Sequence, residues 1–323
     1  MRESIVVIGG SGYIGKHLVS TLSNNQNCVV KVLSRNVGTN VDGWAWPSGV
    51  EVFQGDLNSP LSLDGLFERG CTVVNLSYFW EAGEQANLQV IENILRACQK
   101  VGVKRLIHFS TAAVSGRVPD DVIDESTDCI PLTEYGRTKL KIEKLILHNG
   151  FYFDRVVLRP TAVYGPGGAP LQKLANDLLN GSRVRNYLKS CLFGRRRMNL
   201  VHVANVVDAT VFLISDQQKL GGQIFIISDD DAPENNFEQT ERILTQALGG
   251  LQYPISPVRF PLGLLSLLLR FLGRNNINPA CNYSQKKLEA RGFVRRVEFS
   301  KGLQEYAHWY GTCHSIGSAQ EVR

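Results

Sequence analysis

The sequence predicts an α/β fold, a doubly wound parallel sheet with helices on both faces. Three observations predict it. A glycine-rich turn at residues 9–15 joins an apolar run, Ile5-Val6-Val7-Ile8, to a helix-like stretch that starts at Lys16. Short apolar runs then alternate with amphipathic stretches over the first 160 residues, the order that builds a parallel sheet. Polar and hydroxyl residues stand where several of these runs end, which is the ligand edge of an open parallel sheet.

The glycine turn fits two registers. Gly9, Gly12 and Gly15 read as GxxGxxG, and Gly10, Gly12 and Gly15 as GxGxxG. In both, the backbone must turn off the strand, approach a pyrophosphate and open a helix whose free N–H groups face the anion. With Tyr13 and Ile14 it forms a candidate dinucleotide cradle of Rossmann type. The bland alternative is a glycine turn without a ligand. The next strand, 29–35, ends about 20 residues past the loop, where the adenosine ribose lies in such folds. An acidic residue there would bind both ribose hydroxyls. The sequence offers Ser34, Arg35 and Asn36 instead. A guanidinium suits a 2′-phosphate, so NADP is expected, with NAD as the alternative; a solvent-facing arginine is the competing reading.

Residues 36–49 read as a loop and 50–54 as a strand, followed by Gly55-Asp56-Leu57. Asp56 sits where an acceptor could meet the adenine amino group. A short helix is expected at 63–69, a buried strand at 72–77 and a helix at 85–101, with Leu88, Ile91, Ile94, Leu95 and Cys98 at helical spacing. A strand at 105–110 leads to Ser110 and Thr111. Tyr135 and Lys139 then open a helix that runs to about 149. They are four residues apart and so share one face. A lysine ammonium beside a phenol would lower the tyrosine pKa from about 10 and ready it for proton exchange. The strand-end hydroxyl of Thr111, or Ser110 if the register shifts by one, could hold the reacting oxygen.

These motifs together resemble the extended short-chain dehydrogenase/reductases, the group of nucleotide-sugar epimerases, dehydratases and ketoreductases, over nearly the whole length. Gly55-Asp56-Leu57 is similar to the family's adenine-binding segment, and Asn87 to an asparagine near the cofactor. Asp124, Glu125 and Glu143 match acidic positions around the catalytic pair. Residues 157–167, Val-Leu-Arg-Pro-Thr-Ala-Val-Tyr-Gly-Pro-Gly, closely resemble the family's R-P-x-x-V-Y-G-P-G. The resemblance implies Thr111, Tyr135 and Lys139 as the catalytic set. It implies Leu76, Ser77, Asn87, Lys139, Pro160 and Val163 beside the cofactor, and a smaller interwoven C-terminal region for the substrate. It implies a homodimer. Two departures put the substrate in doubt: Val114-Ser115-Gly116 stands where the family has V-Y-G, and Val203-Ala204-Asn205 where it has V-D-D.

The domain expectation is a cofactor domain at 1–165, rejoined by 199–228, with a substrate region at 166–198 and 229–323. In that region a helix is expected at 169–181, strands at 200–203 and 222–228, and helices at 205–215 and 237–248. Elements at 284–293 and 299–310 close the chain. Arg195-Arg196-Arg197 precedes Asn199 and could meet a diphosphate, so Arg197 and Asn199 are candidate substrate contacts; a solvated basic loop is the equal alternative. Asp229-Asp230-Asp231 reads as an acidic turn. The apolar run 260–272 is too short for a span of roughly 20 residues. It reads first as a buried helix and second as a helix on a membrane surface.

Bulk properties narrow the class. The chain has 323 residues, a formal net charge of +5 and a 43% apolar share, all ordinary for a soluble globular protein. Three arginines without aromatic interleaving do not make a nucleic-acid surface. Seven scattered cysteines without CxxC point to free thiols in a reducing compartment. No secretion signal is read, so the cytoplasm is expected. No histidine or cysteine spacing suggests a metal. The reading is an NADP-dependent 4-ketoreductase of a nucleotide-diphosphate sugar in surface-polysaccharide synthesis. The alternatives are a 4-epimerase holding NAD, a steroid or other alcohol dehydrogenase, and an NADP-binding sensor without turnover.

Overall fold

The computed structural model describes residues 2–35, 44–148, 150–272 and 278–320. Most of the loop read at 36–49, including Asn36, lies outside the described residues, as does Asn149. In chain order the strands are β1 (Glu3–Ile8), β2 (Cys28–Ser34), β3 (Val50–Gln54), β4 (Thr72–Asn75), β5 (Arg105–Phe109), β6 (Val122–Ile123), β7 (Asp154–Pro160), β8 (Ala162–Tyr164), β9 (Leu200–His202), β10 (Gln223–Ile227) and β11 (Asn282–Tyr283). The helices are α1 (Tyr13–Ser23), α2 (Gly83–Val101), α3 (Glu134–Leu147), α4 (Gln172–Asn180), α5 (Arg183–Phe193), α6 (Val203–Ser215), α7 (Phe237–Ala247), α8 (Leu262–Phe271), α9 (Lys286–Glu289) and α10 (Phe299–Gln320).

The chain forms two compact units, one of Met1–Val114, Pro131–Pro160 and Val206–Phe225, the other of Ser115–Ile130, Thr161–Asn205 and Ile226–Arg323. They interleave more finely than a division at 165 and 228, because residues 115–130 carry β6, whose partner is β11.

The first unit is built on a seven-stranded sheet in the order β10-β7-β5-β4-β1-β2-β3. The pairs β1·β2, β1·β4, β2·β3, β4·β5 and β5·β7 are all parallel. The order reverses at β1, which makes the sheet doubly wound and places a crevice at the strands' C-terminal ends. The central strands are apolar on both faces; Val6, Val7, Val73, Val74, Ile107, Val156 and Val157 are buried, as helices on both sides require. The helix expected at 63–69 does not form. A single 3₁₀ turn spans Pro60–Leu63, and Gly65 and Gly70 both adopt φ of +80°, which no continuing helix allows.

The second unit holds two small parallel pairs, β8·β9 and β6·β11. Its apolar core gathers Tyr164, Leu171, Leu200, Leu244, Leu303 and Tyr306. The acidic turn read at 229–231 is mostly interior: Asp229 and Asp230 are buried. Asp229 accepts from the His202 N–H at 2.8 Å and from the Asn205 amide at 3.1 Å. Asp230 accepts from Asn199, Tyr283 and Asn235. Burial pushes both carboxyl groups up to about 6, against these hydrogen bonds. Asn205, where the family carries an acid, now has a reason. Its amide donates to a buried carboxylate, and a second acid there would meet that carboxylate as a like charge.

The run at 260–272 is not buried as first read. Leu265 and Leu269 of α8 are buried, but Leu264, Leu267, Leu268, Phe271 and Leu272 are exposed. A helix apolar on all sides buries only the side its neighbours cover.

Candidate active site

The glycine loop is shaped by its own packing at two positions. Gly9 has φ +80°, and a Cβ there would lie 3.1 Å from the backbone of Leu76 and Ser77. A Cβ on Gly15 would fall 2.2 Å from the Gly9 carbonyl oxygen, so α1 can begin against the loop only with glycine. Gly12 differs. Its N–H donates to the Gly9 carbonyl at 3.1 Å, and it is the N-cap of α1 with no side-chain cap. A Cβ there would meet only the Gly9 oxygen, at 3.3 Å. A methyl at Gly12 therefore asks the Gly9 carbonyl to give slightly, far less than one at Gly15 would. The space above it, at an uncapped helix N-terminus, suits the pyrophosphate of a dinucleotide. Tyr13 and Ile14 supply the first turn.

The neighbouring strand ends converge on this loop. The Leu76 N–H donates to the Ile8 carbonyl at 2.9 Å. The Ser77 hydroxyl donates to Asn75 Oδ1 at 2.7 Å. The Gly55 N–H donates to the Ser34 carbonyl, which sets Asp56 and Leu57 next to the end of β2. Asp56 Oδ1 accepts from the Asn58 N–H at 2.8 Å, and Leu57 is buried. Arg35 follows β2 and is exposed.

At the end of β5 the structure brings Thr111, Tyr135 and Lys139 into one cluster. Thr133 caps α3 by accepting from the Gly136 N–H. Gly136 is needed because a Cβ there would come within 2.9 Å of Pro131 and 3.1 Å of the Ala113 oxygen. This close approach sets Tyr135 beside Thr111, whose hydroxyl hydrogen-bonds the phenol and favours its ionised form. Ser110 is buried one residue earlier. Lys139 is buried, and its Nζ donates to the Phe109 carbonyl at 2.8 Å. Burial lowers its pKa to about 7, opposed by Glu143. The expected effect of the lysine on the phenol does not hold here. Burial raises Tyr135 above its ordinary range, the Thr111 hydrogen bond opposing, with Tyr78 adding to the rise. The ammonium is spent on a backbone carbonyl.

Arg159 and Glu143 hold α3 against β7. Arg159 Nε donates to Glu143 Oε1 at 2.9 Å and its Nη2 to Oε2 at 2.6 Å, both side chains buried. Pro160 is buried at the end of β7.

Three groups were not found from the sequence. Trp80 is exposed and stacks on Tyr135, with centroids 4.6 Å apart and planes at 25°. Tyr78 meets Tyr135 edge-on at 4.9 Å, and Lys139 Nζ lies 5.1 Å from the Tyr78 ring centroid. The aromatic triplet Tyr78-Phe79-Trp80 after β4 was the available signal. Asn87, read as a cofactor contact, is spent on this segment: its amide bonds the Phe79 N–H and carbonyl and the Gly83 carbonyl. The third group is His108, buried beneath Lys139. The Ser77 N–H donates to Asn75 Oδ1, so Asn75 Nδ2 points to His108 Nδ1, at 3.1 Å. Nδ1 is then the acceptor. Burial and then the Lys139 charge hold the imidazole neutral, well below its usual range.

Val163, Arg197 and Asn199 belong to the second unit. Val163 is half-buried in β8. Arg197 donates to the Ala232 carbonyl at 3.1 Å. Asn199 takes φ of 49° and donates to Asp230 and to the Cys281 carbonyl, so its amide serves the unit's interior. Among the described residues no group of His, Cys, Asp and Glu could hold a metal ion.

A doubly wound sheet with a glycine cradle and a hydroxyl, phenol and lysine at one sheet edge defines a class, the enzymes of short-chain dehydrogenase/reductase type. The comparisons place the chain within it. The model of the NAD dependent epimerase/dehydratase family matches residues 5–228, and the chain belongs to that family. It is 31% identical over 300 residues to human short-chain dehydrogenase/reductase family 42E member 1, covering 82% of this chain and 71% of that protein. It is 27% identical to the decarboxylating sterol-4-alpha-carboxylate 3-dehydrogenase of Candida albicans, over 71% of each. Among solved structures, Bordetella bronchiseptica WbmG in complex with NAD and UDP shares the fold. Its TM-score is 0.74 at 19% identity, covering 97% of this chain and 96% of that one.

Proposed function

We propose that the protein is an NAD(P)-dependent oxidoreductase acting at a ring carbon of a nucleotide-diphosphate sugar, as a 4-ketoreductase. The observation that carries this reading is the placement of Tyr135 and Lys139 one turn apart on α3, with Lys139 Nζ bonded to the Phe109 carbonyl at 2.8 Å where β5 ends before Thr111. A phenol at this place can give a proton to an oxygen on which negative charge develops, the need of carbonyl reduction. A bound nicotinamide supplies the hydride. Thr111 orients the phenol and is within reach of the same substrate oxygen. Lys139, buried and near its midpoint at neutral pH, is the charge reserve behind the site. Gly12 and the first turn of α1 would hold the pyrophosphate. Exposed Arg35, with no acid beside it in sequence, supports NADP as the redox partner. The UDP held by the Bordetella protein supports a nucleotide-sugar substrate, and supply of sugars for a surface polysaccharide is the role proposed for the product.

A second reading, a sterol-type alcohol dehydrogenase, is favoured by two observations. One is the Candida sterol relative. The other is the apolar wall that Trp80 and Tyr78 build against Tyr135.

One experiment separates the readings. The dinucleotide retained on purification is identified by mass spectrometry, and NADPH oxidation is followed with UDP- and dTDP-4-keto sugars and with a 3-ketosteroid. Turnover of a keto sugar, lost in Tyr135→Phe with cofactor affinity kept, supports the reductase. Tightly held NAD with interconversion of two UDP-sugars and no net redox makes it a 4-epimerase. Turnover of the steroid alone selects the second reading.

A further inference from the structure

The second unit carries an apolar face that the proposed reaction does not use. Helix α8 has two apolar stripes. Leu265 and Leu269 point inward and are buried. Leu264, Leu267, Leu268 and Phe271 follow at i, i+3, i+4 and i+7, one opposite face, and are 55%, 52%, 37% and 82% exposed. Leu272 extends that stripe, and Leu251, Ile255 and Val258 are exposed on the segment leading to the helix. Eight large apolar side chains thus meet water within 22 residues, where an ordinary soluble surface scatters them singly.

The segment itself carries bases and no acids, although Glu238 and Glu241 reach it from α7. From 242 to 288 the sequence has no Asp or Glu, while Arg242, Arg259, Arg270, Arg274, Lys286 and Lys287 fall there. Arg259 is paired with Glu238. Arg270 is exposed on α8 itself, next to Phe271. The helix has ten residues, half of what a bilayer crossing needs, and no helix among the described residues is long and apolar enough to cross.

We propose that residues 251–272 form a peripheral docking face for an anionic lipid bilayer, with α8 lying in the plane of the membrane. Leucine and phenylalanine side chains enter the boundary between headgroups and acyl chains, and the basic residues meet the lipid phosphates. A second copy of the chain is the poorer occupant. A twofold contact would set the patch against itself and bring the two Arg270 side chains toward each other.

The test is co-sedimentation of the full chain with vesicles of pure phosphatidylcholine and with vesicles containing about a quarter phosphatidylglycerol. The expected result is binding to the anionic vesicles, at least about tenfold weaker to phosphatidylcholine alone, and weakened by salt. Leu267→Glu/Phe271→Glu should lower anionic-vesicle binding at least about tenfold while leaving cofactor affinity and melting temperature unchanged, since both side chains are exposed. Arg270→Glu should weaken binding to anionic vesicles only. Failure of the wild-type chain to bind anionic vesicles overturns the proposal. Equal binding by the double variant overturns it too. So does light scattering that shows a wild-type dimer which the double variant dissolves.

Discussion

The most exacting prediction concerns Lys139→Met. The lysine ammonium is buried, with a carbonyl at 2.8 Å and an aromatic face at 5.1 Å as its near partners. Desolvation holds its pKa near 7 in the folded protein, against about 10.4 in an unfolded chain. Between these values the unfolded state carries a proton that the folded state lacks. Stability must then rise with pH across that window, because the unfolded state binds more protons there. At pH 8 to 9 the difference approaches one proton, giving a slope of about 1.3 kcal/mol per pH unit from this one group. Methionine matches the stem and has no charge, so the slope disappears in the variant. The assay is urea unfolding of cofactor-free wild type and variant at several pH values between 7.5 and 9.5. The difference between the two curves reports Lys139, because His108, the neighbour that feels its charge, is neutral throughout this range. Parallel curves would refute the reasoning and return the lysine to an ordinary, charged state. That result would also remove the explanation of why Tyr135 keeps its proton beside a lysine.

Three further outcomes are expected. Gly15→Ala, with its methyl 2.2 Å from the Gly9 oxygen, should lower the melting temperature and abolish dinucleotide binding; Gly12→Ala should lower the melting temperature far less and still weaken the dinucleotide, as melting curves and nucleotide titration by fluorescence would show. Arg159→Met strands the buried Glu143 carboxylate and should cost about 3–5 kcal/mol in urea unfolding, with Arg159→Met/Glu143→Leu recovering a large part of it. Asn205→Asp replaces a donor to Asp229 with a like charge and should destabilise by about 1–3 kcal/mol at pH 8. That deficit should shrink as pH falls through about 6, where Asp229 takes up its proton, and melting curves at both pH values check it.

The sheet was legible because its signals are local. An apolar run, a glycine turn and an amphipathic helix each show in a short window, and their alternation fixes a parallel, doubly wound order. The expected strand at 50–54 is β3 to the residue, and the helix read at 85–101 is α2 with two residues added at its start. The short helix expected at 63–69 is broken by Gly65 and does not form. The helix α5 was not read at all. Its exposed face mixes Val184 and Leu188 with Arg183 and Arg185, which hides the period.

For the site, the sequence by itself determined the ingredients. The spacing of Tyr135 and Lys139 places them on one helix face, and the run from Arg159 to Gly167 marks the strand beside them. Only the tertiary structure decided what those groups experience. Lys139 loses its ordinary basicity to the segments that cover it, contributed by β5 and by Tyr78. Asp229 and Asp230 read as a solvated turn and are interior carboxyls held by residues up to 66 positions away. Asn87 turns from the cofactor to the loop that carries Trp80. Residues 260–272 read as core and expose Leu264, Leu267, Leu268, Phe271 and Leu272. The reason is common to all four. Periodicity and spacing tell which side chains share a face, whereas burial, and with it desolvation and charge state, depends on which distant segment covers that face.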